Sequence, residues 1–296
     1  MPVIISANDM KKAFNGLFMK AYAAAEVADL IPLLASVVPS NTLIEQYDFF
    51  GDVPKMQEWV DEKSVRDLKK FTQSITNLDW EVTLGVKKTD MEDNTLGGVK
   101  MRVNELGMEA RLHPSRNLTE LRESNPTAYD GQDLYSDTHD ETGSNQDNLL
   151  GGNGIDSLSH FRTDFTAARK ALLSFTTDTG KKFNNPLMRL AVVVPPDAED
   201  VARQFLMAGL HAGGDSNVWK GAAELIVDHN LTDANDWYLD VVGAPLRAFI
   251  HQLRKKPVLT NSDKDLFMKK FIYFSAEARW KNAPGFWART VKIVNS

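Results

Sequence analysis

The sequence predicts an α+β protein, and three stretches of the chain carry that prediction. Leu78, Trp80, Val82, Leu84 and Val86 alternate with Asp79, Glu81, Thr83 and Gly85, the period of two that a strand with one apolar face requires. Leu96, Val99, Val103, Leu106 and Ala110 recur every three or four residues, which lines one face of a helix. Leu187 to Val194 is an apolar run closed by Pro195-Pro196 and reads as a buried strand.

The totals narrow the function classes. A chain of 296 residues can hold one large domain or two modest ones. Its 43% hydrophobic and 25% charged residues are ordinary globular usage, so disorder is not expected. Net charge is −6, from 34 basic and 40 acidic side chains, with no long basic run, which argues against binding nucleic acid by phosphate neutralisation. The absence of cysteine excludes disulfides, zinc-thiolate sites and a cysteine nucleophile. Lys20, Glu26 and Asp29 interrupt the alanine-rich N-terminal stretch, and no apolar run is long enough to cross a bilayer. A protein free of membranes and made in the cytoplasm is expected.

Residues 6–35 are expected to form an amphipathic helix, capped by Ser6, Asn8 or Asp9 and ended or kinked by Pro32 and Pro39. Thr42 to Phe50 is β-prone, and a short polar helix is expected near Gln57 to Asp61. Val65 to Ile75 is a second strand candidate, heavily charged by Arg66, Asp67, Lys69 and Lys70. Joined to the apolar-faced strand 78–86, it suggests a long two-stranded extension that needs a surface to lie on. The helix of 89–124 could begin at a Thr89/Glu92 capping box or after Gly97 and Gly98, which would each cost about 1 kcal/mol inside it. Pro114 should bend it, and Asn117 with Glu120 could re-cap its second half. The polar loop 125–156 is too long for a passive turn; Tyr129, Leu134 and Tyr135 could anchor it. Residues 157–254 read as a compact α/β unit with a helix over 158–173, a helix capped by Asp197, and strands at 187–194, 225–227, 237–242 and 247–253. A terminal hairpin is expected, Phe271 to Trp280 and Phe286 to Val294 around Asn282-Ala283-Pro284-Gly285.

Chemistry-bearing motifs are sparse. Gly152-Asn153-Gly154 has Ser157 at the third glycine position, Gly180-Lys181-Lys182 lacks an upstream phosphate-loop glycine, and no Gly-x-Ser-x-Gly elbow occurs. Ser159 and His160 are helix neighbours that point apart. Two acidic clusters could ligate a cation: Asp137, His139, Asp140 and Glu141, and Asp228, His229, Asp233 and Asp236. A solvated acidic turn is the better reading of each, and no metal or cofactor is expected. Trp80, Trp280 and Trp287 read as core; Arg279, Lys281, Arg289 and Lys292 flank two of them, but Glu277 and the negative balance argue for a solvated sheet face over a nucleic-acid platform.

The order of elements and several local stretches resemble the Mu-like tailed-phage major head subunits. The residues that carry the resemblance are Val38-Pro39-Ser40, Tyr47-Asp48-Phe49-Phe50-Gly51-Asp52-Val53-Pro54, Glu58-Trp59, Leu84-Gly85-Val86, Asp90-Met91-Glu92-Asp93-Asn94 and His113-Pro114. Further matches are Val192-Val193-Val194-Pro195-Pro196, Asp236-Trp237-Tyr238-Leu239 and Glu277-Ala278-Arg279-Trp280. The resemblance spans the chain and implies the tailed-phage major capsid fold. It divides the chain into an N-terminal helical arm (1–40), an extended hairpin loop (41–87), a peripheral domain with the long helix and polar loop (88–156), an axial domain (157–254) and a return to the peripheral domain (255–296). It implies no enzymatic role: the chain is expected to build an icosahedral shell around phage DNA from pentamers and hexamers, without sequence-specific DNA binding. Neighbour contacts are expected at Tyr47, Phe49, Phe50, Trp59, Leu78, Trp80, Val82 and Leu84. With no helical scaffolding segment before residue 6, either a separate scaffolding protein or prior removal of such a segment is expected, together with a portal. A non-viral shell of the same fold is the nearest alternative, and a metal-dependent hydrolase using the acidic clusters a more distant one.

Overall fold

The structure is a computed structural model, and it describes residues 7–50, 70–92, 97–140, 143–177, 180–210 and 216–295. Helix α1 (Ala7–Ala24) leads through a 3-10 turn to the short helix α2 (Ile31–Leu34) and strand β1 (Ala35–Pro39). Strands β2 (Ile44–Phe50), β3 (Lys70–Thr76) and β4 (Leu78–Lys87) follow, then α3 (Lys88–Glu92) and the long α4 (Gly97–Glu123). Next come β5 (Leu149–Gly151), α5 (Leu158–Ser174), β6 (Leu190–Val194), α6 (Glu199–Met207), β7 (Glu224–Val227) and β8 (Trp237–Val241). The chain closes with β9 (Phe249–Ser262), α7 (Leu266–Lys269), β10 (Phe271–Pro284) and β11 (Thr290–Val294).

Two sheets organise two cores. The first sheet has the order β1-β9-β10-β4, with β1 parallel to β9 and the other pairs antiparallel. Helices α1 and α4 cover its apolar face. Phe14 and Phe18 from α1 and Val103 and Leu106 from α4 close over Val86, Leu259, Ile272, Phe274 and Ala276. Gly107 is where the two helices meet: a Cβ there would lie 2.5 Å from the Phe18 carbonyl oxygen. The second sheet has the order β5-β11-β8-β6-β7. Its central strands β6 and β8 are buried at every residue, between α5 and α6 on one side and Leu118, Tyr135 and Trp287 on the other. Phe161 and Phe165 of α5 meet Phe205 of α6 edge to face at 5.5 and 5.0 Å.

Several expectations are corrected. The N-terminal helix ends at Ala24 instead of near residue 35; Asp29, one residue before the N-cap position of α2, accepts from the Ile31 N–H, and Pro32 sits in the first turn of α2. Strand 78–86 does not pair with the described part of 65–75, which begins at Lys70. β4 pairs with β10 over ten residues, and its inner face is covered in part by this chain's own helices, whereas β3 pairs with β2. The strand at 247–253 extends to Ser262 and belongs to the first sheet, outside the α/β unit. The terminal hairpin does not form. β10 pairs with β9, and after Pro284 the chain crosses to the second sheet, where β11 lies between β5 and β8. Proline offers no N–H to a ladder, and Gly285 packs so closely that a Cβ would lie 2.6 Å from the Arg247 carbonyl. Asp197 lies in a 3-10 turn and does not cap α6, whose N-cap position is Ala198. Helix α4 includes Gly97 and Gly98 in its first turn and runs through Pro114, so Asn117 and Glu120 are interior and cap nothing. The polar helix expected near Gln57 to Asp61 and the cap candidate Ser6 lie outside the described residues, whereas the other cap candidates, Asn8 and Asp9, fall inside α1.

At 27 residues, α4 is about 40 Å long and serves both cores. Its two halves are fixed by polar contacts. Asn282 donates from Nδ2 to the Pro114 carbonyl (2.8 Å) and to Asn117 Oδ1 (3.2 Å), and its Oδ1 accepts from His251 Nδ1 (2.7 Å). Further along, Arg122 pairs with Asp240 at 2.5 Å, both buried, under the Tyr238 ring. Burial works against the Arg122 charge, but the Asp240 carboxylate more than offsets it and holds the guanidinium protonated.

Substituting Gly107→Ala should separate α1 from α4 and destabilise the fold by about 1–3 kcal/mol, the usual result of overpacking. Urea denaturation of the two proteins checks this.

Candidate assembly surface

The two-stranded sheet β2–β3 pairs with no third strand among the described residues. It is attached to the body by one apolar plug and a set of polar side chains. Ile75 is buried in the larger core. Gln252 on β9 is fully buried; it accepts from the Tyr47 hydroxyl at 2.8 Å and donates to the Ile75 carbonyl at 3.3 Å. Asn77, also buried, donates to Ser40 Oγ and the Thr42 carbonyl. Glu45 Oε1 accepts from Ser40 Oγ, Asn41 N and Thr42 N, closing the turn into β2. These bonds lower the Glu45 carboxyl to about 2. Tyr47 moves the other way, pushed up to about 12 by desolvation and then by the nearby Glu45 charge.

Beside this attachment the first sheet carries an aromatic cluster. Trp80 of β4 stacks on Trp280 of β10 at 4.6 Å, and His113 of α4 meets both edge-on. Trp80 donates its indole N–H to the Trp280 carbonyl. Burial lowers the His113 pKa, so the ring is held neutral against the two indoles.

The residues expected to touch a neighbour therefore divide. Tyr47 is half-buried and turned toward Gln252. Leu78 and Val82 stay 40% and 39% exposed on the β4 edge. Trp80 packs within its own chain, and Leu84 packs against the core under α1 and α4. Phe49 and Phe50 lie on β2, but their side chains, like all of Trp59, fall outside the described residues. Gln252, Asn77 and Glu45 were not singled out from the sequence. The one visible signal was the spacing of Thr42 and Glu45, three apart like a capping box.

Both acidic clusters have structural roles. His139 is fully buried, stacked on Trp287 at 4.1 Å, with Nδ1 2.6 Å from Asp130. Asp140 accepts from the Gly143 N–H; Glu141 lies outside the described residues. Asp228 accepts from Thr119, Asp233 from the Asn235 and Asp236 N–H groups, and Asp236 pairs with Lys292 at 2.8 Å; His229 is exposed. Among the described residues no group of three His, Cys, Asp or Glu could hold a metal ion.

Residues 7–160 and 156–231 match the family of the Mu-like prophage major head subunit gpT. The chain belongs to this family. Among curated relatives of the gpT family, it is 29% identical to the major capsid protein of Escherichia phage Mu over 150 residues, 47% of this chain and 49% of the relative. It is 23% identical to the major head subunit of the FluMu prophage of Haemophilus influenzae over 264 residues, 86% of this chain and 62% of the relative. The chain thus spans about half to three-fifths of the length of these relatives. The procapsid of bacteriophage JBD30 superposes with a TM-score of 0.57 at 24% identity, covering 99% of this chain and 75% of that one. A virus-like particle from Pyrococcus furiosus gives 0.63 at 10% identity, covering 98% and 100%. The fold is that of the tailed-phage capsid proteins.

Two outcomes test the attachment. The depressed Glu45 pKa means its bonds are present above about pH 4.5 and are lost as pH falls towards 2. Hydrogen exchange at the Asn41 and Thr42 amides should accelerate in that window, and Glu45→Gln should remove the transition. Gln252→Leu should strand the Ile75 carbonyl and destabilise the protein by about 1–3 kcal/mol, measured by urea denaturation.

Proposed function

We propose that the chain is a shell-forming head subunit whose copies associate through the β2–β3 extension. The observation that carries this is the extension itself: a two-stranded sheet without a third strand among the described residues, held to its body by side chains. A hairpin of this size is marginal alone and needs a surface, which a neighbouring copy supplies. Copies repeating one heterologous contact about rotation axes close into rings, pentamers and hexamers, and these into an icosahedral shell. Many modest contacts per copy then add up to a stable particle. Family membership and the likeness to capsid structures support this reading.

On this reading the first sheet with α1 and α4 is the peripheral domain, the second sheet with α5 and α6 the axial domain, and the chain acts without catalysis. The interior holds phage DNA with no base-specific contacts, and the net charge of −6 suits a wall along which DNA slides. A separate scaffolding protein and a portal complete the assembly, and the finished subunit resides in the virion. The full-length superposition on the Pyrococcus particle favours a second reading, a shell of the same fold with non-viral contents. The nucleic acid or protein content of purified particles separates the two.

Expressed with its neighbouring scaffold gene, the intact chain should give shells, capsomer rings or tubes by negative-stain microscopy. Replacing residues 51–69 with a short Gly-Ser turn should leave a folded protein with an unchanged thermal transition and no particles. Particles of normal size from that variant would contradict the proposal.

A further inference from the structure

Strand β4 leaves one edge of the first sheet open. It pairs with β10 over ten residues in one unbroken register, and no strand flanks its other side among the described residues. Just past the strand's end, the Lys88 N–H donates to the Lys270 carbonyl. Antiparallel pairs alternate between bonded and non-bonded positions, so the even-numbered residues of β4 direct their backbone groups to β10. Those of Asp79, Glu81, Thr83, Gly85 and Lys87 therefore point out from the edge, where another strand can take them up. Proline or a bulge commonly blunts such an edge, and β4 has neither. On its inner face Leu78 and Val82 stay exposed, Val82 at the rim of a cleft of about 160 Å³ that Trp80, Ala276 and Pro257 also line.

The pattern along β4 itself decides which strand fits. Laid antiparallel about a two-fold axis through Thr83, a second β4 overlaps the first from Asp79 to Lys87. Asp79 then faces the second copy's Lys87, and by symmetry the pair occurs twice. Glu81 faces Gly85, which has no side chain to oppose it, Thr83 faces Thr83, and Val82 faces Leu84. Asp79 is free to take part: it is 75% exposed even while paired with Arg279. Lys87 is exposed and has no ion pair among the described residues. Moving the axis to Val82 leaves Lys87 with no β4 residue opposite it, and moving it to Leu84 shortens the overlap to 81–87. We propose that two copies join their first sheets edge to edge through β4, antiparallel about a two-fold axis at Thr83, into one eight-stranded sheet. The contact is isologous, so it links two copies and stops. It rests on the shell-forming reading only for its place in the particle, where the extension closes rings and the paired β4 edges join one ring to the next.

The chain has no cysteine, so introduced thiols report cleanly. Residues opposed at a bonded antiparallel position lie about 5.5 Å apart at Cα, within disulfide reach, so Thr83→Cys should give a covalent dimer on oxidation. Glu81→Cys is the control: in this register its two copies lie roughly 14 Å apart along the strands, too far to bridge. Both side chains are exposed, and circular dichroism should show the fold unchanged in each variant. Non-reducing gels of oxidised particles and of the concentrated, unassembled protein should show a dimer and no larger ladder from Thr83→Cys, and neither from Glu81→Cys. Adding Lys87→Glu, which sets two like-charged pairs across the edge, should raise the concentration for half-maximal cross-linking by roughly tenfold. No dimer from Thr83→Cys in either sample, or equal dimer from the two single variants, would overturn the pairing, and particles that form all the same would leave the shell-forming reading intact. An intact chain that never assembles would overturn that reading alone if the Thr83→Cys dimer still forms, and both if it does not.

Discussion

Asn282 holds the joint on which the rest of the structure depends. Its side chain binds the Pro114 carbonyl and Asn117 on α4 and accepts from His251 on β9, while its backbone lies in β10. It is 1% exposed, so none of these bonds competes with water. The bond falls where α4 passes from one core to the other and where Pro114 removes a helical hydrogen bond that would otherwise stiffen it. Two residues further on β10 ends, and the chain crosses to the second sheet as β11, so helix and chain crossing both tie the cores together. The Arg122–Asp240 pair repeats the arrangement one core further along.

Against that joint the extension is attached quite differently. The two cores are closed by aromatic and aliphatic side chains, whereas the base of β2–β3 depends on Gln252, Asn77 and Glu45, with Ile75 as its apolar plug. Hydrogen bonds of this kind are directional but individually modest, about 1 kcal/mol each. They set the angle at which the extension leaves the body without committing much surface to it. A rigid body with a directed, lightly attached arm is the physical form that a repeating contact between copies requires.

Element type was legible in the sequence, because periodicity reports which side chains share a face. The alternation over 78–86, the helix face from Val99 to Ala110 and the apolar run before Pro195-Pro196 all became elements of the expected type, but Leu78 and Val82 stay exposed, and the strand expected from Leu187 begins at Leu190 and leaves Leu187 exposed. Partnership was not legible. The residue opposite Trp80 is Ala278, nearly two hundred positions away, and nothing in a local pattern encodes that pairing. The strand candidate ending at Ile75 invited pairing with its neighbour in sequence, yet its described part, β3, pairs with β2. The turn at Asn282 to Gly285 has hairpin composition, but there the asparagine is a joint and the glycine allows close packing. The acidic clusters were read as solvated turns, and that fits Asp140 and Asp233, which bind backbone N–H groups of their own turns, but His139, Asp228 and Asp236 are buried. Gln252, a polar residue in a strand between His251 and Leu253, offers no pattern to notice, although it anchors the extension.

The central claim is that copies meet through the extension while each body stays as it is. Hydrogen–deuterium exchange on the unassembled protein and on purified particles tests this most directly. The account predicts that assembly protects amides between residues 41 and 76, with β6, β8 and β11 equally protected in both states. Protection gained mainly by the strands of the second sheet, with residues 41–76 unchanged, would contradict it.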